Sequence, residues 1–190
     1  MPILGIIASS TLNDTSAYFP IATTTLATAT ASVTFSSIPA TYTHLQLRVT
    51  AQTNRTTYGI DEMKATFNGD GASNYRAHIV YGDGASYASG VEPQGTTVKW
   101  GTGFFGTTTG ANWGSMIVDI LDYTNTNTYT TQRVLGGVDC NGTVGGLGGR
   151  VGLTSGLWMN TAAVTSMTFI PANATNFSQY SSFTLYGIKG

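Results

Sequence analysis

His44 and His78 could act as general bases, and the chain holds serines and carboxylates from which a triad could be completed. The G-x-S-x-G elbow that presents a nucleophilic serine is absent, so both histidines read as solvent-facing strand residues. Asp61, Glu62, Asp70, Asp83, Asp122 and Asp139 fall in or beside turns. Two of them could form a glycosidase pair, whose members need not be close in sequence, but no spacing singles out a pair. Asn68, Asp70 and Asp83, in "FNGDGASNY" and "YGDGAS", could converge on calcium. They lack the acids closing on a glutamate of an EF-hand loop, and Asn-Gly and Asp-Gly are first of all hairpin turns, because both tolerate positive φ. "GGLGGR", residues 145–150, lacks the Gly-Lys-Ser/Thr ending of a phosphate loop and reads as a hairpin tip. No metal and no cofactor is expected, and the chain reads as a non-enzyme.

Tyr87, Trp100 and Trp113 are the better candidates for binding. They lie in or near a Gly- and Thr-rich middle, "WGTGFFGTTTGANWG", that sets rings among residues with almost no side chain. Exposed rings of this kind stack on sugars or bury in a partner surface. The competing reading places Trp100, Phe104 and Trp113 in the core.

Strands must position these residues. Of 190 residues, 41% are hydrophobic and 9% charged, against roughly 25% charged in average globular proteins. The polar surface is therefore made from Thr, Ser, Asn, Gln and Gly, a composition suited to pleated sheet and tight turns. In "ASVTFSS", Val33 and Phe35 point inward and Thr34 outward. In "THLQLRVTA", Leu45, Leu47 and Val49 face one way, and His44, Gln46 and Arg48 the other. "EMKATF", "YRAHIVY", "TVKWGTGFF", "SMIVDIL", "TYTTQRVLGG", "GLTSGLW", "TSMTFI" and "SSFTLYGI" read as further strands, most of them separated by Gly-, Asn- and Asp-rich turns. No helical periodicity interrupts them. The expected fold is all-β: a single antiparallel β-sandwich, jelly-roll-like, over residues 18–190.

Residues 1–17 form an apolar N-terminal arm beginning "MPILGIIASS". It has no positively charged leader segment and is far shorter than the roughly 20 apolar residues of a membrane helix, so neither export nor membrane insertion is expected. Ile3, Leu4, Ile6 and Ile7 would either complete the chain's own sheet or dock on a neighbouring subunit, and docking is preferred. Asn13, Asp14 and Pro20 read as a hinge between arm and sandwich. Eight Lys and Arg against nine Asp and Glu, with no basic cluster, argue against nucleic acid as a partner. Cys140 is the single cysteine, which excludes an internal disulfide, and the five N-x-[ST] sequons are those expected by chance in so Asn- and Thr-rich a chain.

Several runs together resemble short β-rich virion proteins of tailed bacteriophages, particularly those of aquatic bacteria: "LGIIASS", "SSIPATYTHLQLR", "FNGDGASNY", "DILDYTNTNTY", "SGLWMNTAAVTS" and "QYSSFTLYGIKG". The likeness covers nearly the whole chain and is weakest over residues 84–112. It implies a structural component on the particle exterior, made in the host cytoplasm, as a tail-fibre or adhesion module or a capsid decoration protein. The partners expected are other virion proteins and further copies of the chain in a homo-oligomer, with a trimer favoured; host surface glycan is the alternative that Tyr87, Trp100 and Trp113 offer. The resemblance supplies no functional residues.

Overall fold

The computed structural model describes residues 17–107, 112–144 and 147–189, without the side chains of 101–107, 141–144 and 147–148. The described residues contain twelve strands and no helix: β1 (Tyr18–Thr25), β2 (Val33–Phe35), β3 (His44–Thr53), β4 (Ile60–Phe67), β5 (Tyr75–Gly82), β6 (Tyr87–Gly95), β7 (Val98–Thr107), β8 (Gly114–Leu121), β9 (Thr130–Val144), β10 (Leu147–Trp158), β11 (Met167–Pro171) and β12 (Ser182–Ile188). They form two antiparallel sheets. The long sheet runs β1-β12-β3-β8-β9-β10-β5-β6, and the short one β2-β11-β4-β7. The sheets touch where the end of β3 runs parallel to β7, Gln52 opposite Gly106 and Thr53 opposite Thr107.

Four of the pairings nest: β1 with β12, β2 with β11, β3 with β8 and β4 with β7. The hairpin β5–β6 is inserted between β4 and β7, and the hairpin β9–β10 between β8 and β11. Both insertions join the same sheet, side by side beyond β8. The long sheet therefore consists of a nested part and an added part.

Period-two alternation builds the core. Leu45, Leu47, Val49, Met116, Val118, Ile120, Phe183 and Leu185 enter from the long sheet, and Val33, Phe35, Met63, Phe67, Val98, Trp100, Met167 and Phe169 from the short one. A chain of rings crosses between them, Trp100 to Phe169 at 5.8 Å, Phe169 to Phe183 at 6.2 Å and Phe183 to Phe177 at 5.0 Å.

The anticipated alternation of β2 and β3 holds, and two strands were not foreseen. β1 contains Pro20 and a register shift next to it, and β6 contains Pro93. Each lies at an edge of the long sheet, where a missing N–H costs no ladder bond. Pro20 therefore sits inside a strand and not in a hinge. Residues 147–150 of "GGLGGR" belong to β10. Ile3, Leu4, Ile6 and Ile7 lie outside the described residues.

"FNGDGASNY" is a corner between the sheets. Asn68 and Gly69 have φ of 52° and 68°, and the Asp70 N–H closes the turn on the Phe67 carbonyl at 2.8 Å. The Asp70 carboxylate accepts from the Asn74 amide at 2.9 Å, the Trp158 indole at 2.8 Å and the Ala72 N–H at 2.9 Å. The Asn74 bond, then those from Trp158 and Ala72, hold its pKa down to about 2 from an ordinary 3.8. A depressed carboxylate stabilises the folded state above its unfolded pKa and loses that contribution as it protonates. Stability should fall as pH drops from about 4 to about 2. Denaturant melts of Asp70→Asn across that range should show a shallower slope than the parent; equal slopes would contradict the assignment.

Candidate functional site: the outer face of the long sheet

The residues anticipated as chemical do not converge. His44 Nδ1 accepts the Asp122 N–H at 3.0 Å and lies 3.3 Å from the Asp122 carboxylate, at the start of β3. His78 is exposed on β5, four strand spacings or about 19 Å across the sheet. Asp70 and Asp83 flank opposite ends of β5, roughly 20 Å or more apart, so Asn68, Asp70 and Asp83 cannot share a cation. Among the described residues no group of three or more His, Cys, Asp or Glu is placed to hold a metal ion.

Two carboxylates do come close, Glu62 on β4 and Glu92 on β6, because Lys99 on β7 bonds both at 2.9 Å. Burial raises the Glu62 pKa, against the bond from Lys99. Burial alone would lower Lys99, but its bonds to Glu62 and Glu92 hold it above the ordinary lysine value. The ammonium occupies the space between the two acids that a scissile glycosidic bond would need.

Trp100 is fully buried on β7, its ring against Phe169, and cannot touch a glycan or partner. β7 alternates, and position 100 falls on its inward face beside Val98 two residues earlier. Tyr87 and Trp113 are exposed, 89% and 41%. Both belong to the outer side of the long sheet, but at β6 and β8, about 19 Å apart across the ladder. They make no joint stacking platform.

Between them lies the feature that the aromatic candidates bracket. Ile117 on β8 pairs with Leu135 on β9, Leu135 with Leu153 on β10, and Leu153 with Val80 on β5. These four side chains stand in one row across four strands, exposed by 39%, 51%, 54% and 46%. Val151 and Val91, also more than half exposed, flank the row on β10 and β6. Gly137 and Gly82, on either side of Val151 in the ladder, leave the surface flat there. An open depression of about 710 Å³ runs along this face beneath Trp113, between Arg48 and Val151.

The same face of the nested part looks quite different. There the Arg48 guanidinium lies between the Tyr18 and Tyr186 rings, at 5.3 and 5.0 Å, and its Nε donates to Gln46 at 2.8 Å. Gln46 donates to Asp119 at 2.9 Å, and Arg133, from β9 of the added part, approaches the same carboxylate at 3.7 Å. Threonine and serine hydroxyls pair across β1 and β12. That half is an ordinary solvated face. The aliphatic half belongs to the strands that the two insertions add, together with β8.

Consecutive apolar residues in a strand mark it as apolar on both sides, since neighbours point to opposite faces. Ile117-Val118, Val134-Leu135 and Ile79-Val80 were such signals. Comparison with known protein families, with curated proteins and with solved structures finds no match.

Proposed function

We propose that this chain is a non-enzymatic structural protein of a tailed-bacteriophage virion, carried on the particle exterior as a tail-fibre or adhesion component or a capsid decoration protein. We further infer that its sandwich is a jelly roll. The nested pairing supports this, because rolling one long antiparallel hairpin into two sheets produces that order. The jelly roll is an architecture of viral capsid proteins and of lectins, and a fold by itself selects no function.

The observation that carries the assembly role is the exposed aliphatic row. Monomers rarely expose contiguous apolar patches larger than a few hundred square ångströms. The whole outer face of these five strands, Arg133, Ser155 and His78 included, spans roughly 600 Å² at ~4.8 Å per strand and about eight residues of ~3.3 Å, against ~800 Å² per partner in a standard interface. Its occupant is a further copy of this chain. A sheet face with an aliphatic row is what two sheets pack together, and homo-oligomer interfaces are the more apolar class.

Virions purified to homogeneity should contain the protein. Hundreds of copies per particle mean decoration, and a few or a few dozen mean a tail appendage; absence from the particle would overturn both. The arm, with Ile3, Leu4, Ile6 and Ile7, docks on a neighbouring virion protein. Deleting residues 1–10 should leave a folded sandwich that no longer enters particles, and an unfolded product would assign the arm to the core instead.

A second reading, contact with host surface glycan, is favoured by a recess at the loop end of the sandwich. It has about 370 Å³ and is lined by Arg55, Tyr58, Ile60, Glu62, Arg150 and Asn173.

A further inference from the structure

From this recess we infer a binding site for a carboxylated sugar, such as a uronic or sialic acid unit of a host surface polysaccharide. The inference rests on the glycan-contact reading and specifies its ligand. In a chain with eight basic residues, two arginines line one recess. Arg55 comes from the loop between β3 and β4, and Arg150 from β10.

Each guanidinium lies over a tyrosine ring, Arg55 over Tyr58 at 4.5 Å and Arg150 over Tyr81 at 4.6 Å. Stacking engages the face of a guanidinium, while its N–H donors lie in the plane and match a carboxylate two at a time. Arg55 is further fixed by donating to the Ile60 carbonyl at 2.8 Å, and its Nη1 lies 3.9 Å from Asp61. The positive charges are thus held in place before any ligand arrives, which spares the ordering cost that long side chains otherwise impose on binding.

The remaining lining suits the rest of a sugar. Tyr58 is 46% exposed and offers an apolar surface for the C–H face of a pyranose ring. Asn173 is anchored by its N–H groups to Asp61, at 3.1 and 2.9 Å. Glu62 is tied to Lys99 at 2.9 Å, so the acid at the recess wall is already paired with a cation. A recess of about 370 Å³ accommodates one sugar ring with its substituents.

The test uses the full chain, saturation-transfer NMR and calorimetry. The probes are glucuronic acid and N-acetylneuraminic acid, with glucose, galactose and acetate as comparators. An acidic sugar should bind at millimolar concentration, acetate should compete poorly, and Arg150→Gln and Tyr58→Ala should each weaken binding about tenfold or more. Tyr129→Ala, an exposed residue just before β9, beside the end of β10 farthest from Arg150, should change nothing. Tyr58 is a loop residue, so its variant keeps the test decisive should Arg150→Gln fail to fold. Binding of neutral sugars without acidic ones would overturn this inference and leave the glycan reading standing. Binding of no sugar would overturn both. Equal competition by acetate, or binding indifferent to Tyr58→Ala, would overturn the site.

Discussion

A chain carrying Leu135→Glu together with Leu153→Lys should be a folded monomer at concentrations where the parent is an oligomer. The two positions face each other across β9 and β10, so opposite charges are chosen; like charges there would weaken the hairpin itself. In the free chain both leucines are already half exposed, 51% and 54%, and their loss creates no internal cavity. Their replacement should move stability by no more than about 1 kcal/mol. In the proposed assembly the same two leucines would be buried at the centre of the contact. Burying the exposed half of a leucine contributes roughly 1 kcal/mol, and charged side chains in its place add a desolvation cost. Each contact between copies loses at least two such residues, so the dissociation constant should rise by roughly 10² or more. Light scattering alongside thermal melts reads both quantities. An unchanged oligomer would remove the row from the interface, and a parent that is itself monomeric would remove the homo-oligomer.

This row was missed in the sequence for a physical reason. Strand existence was legible because alternation such as Leu45-x-Leu47-x-Val49 can be explained only by a pleated, half-buried segment. The all-β sandwich followed from that and from the turns. Strand order is a matter of long-range pairing, and nothing local in "TYTTQRVLGG" or "YRAHIVY" states that these two segments end one strand apart, with β10 between them. Once the order is known, Leu135, Leu153 and Val80 become neighbours; before that they are three unrelated aliphatics. Trp100 and Trp113 illustrate the same limit from the other side. Both lie in one Gly-rich run, but the phase of alternation along β7 and ahead of β8 puts the first in the core and the second on the surface. The edge strand β1 escaped because Pro20 read as part of a hinge; at a sheet edge it is tolerated, as Pro93 is in β6. The recess residues Arg55, Tyr58, Arg150 and Asn173 come from three distant segments, and no motif spacing announces them.

Asp61→Ala should be the most damaging single substitution among the charged residues. Its side chain is fully buried, and its carboxylate holds the loop after β11 against β4. One oxygen accepts the N–H of Glu62 at 2.8 Å, the N–H of Asn173 at 3.1 Å and the Asn173 amide at 2.9 Å; the other accepts the N–H of Ala174 at 3.0 Å. Alanine would strand three backbone donors and leave the Arg55 guanidinium, 3.9 Å away, without its nearest counter-charge. Removing one partner from a buried charged network costs about 3–5 kcal/mol, a large part of the ~5–15 kcal/mol that keeps a domain folded. Asp61→Asn keeps one carbonyl acceptor but neither the charge nor the second acceptor, so its cost should be intermediate. Urea melts of the two variants should rank parent, Asn, Ala in falling stability. A loss below ~1 kcal/mol for Asp61→Ala would mean that the loop is held by the Asn54 bonds to Thr175 and Asn176 instead, at 2.8 to 3.2 Å.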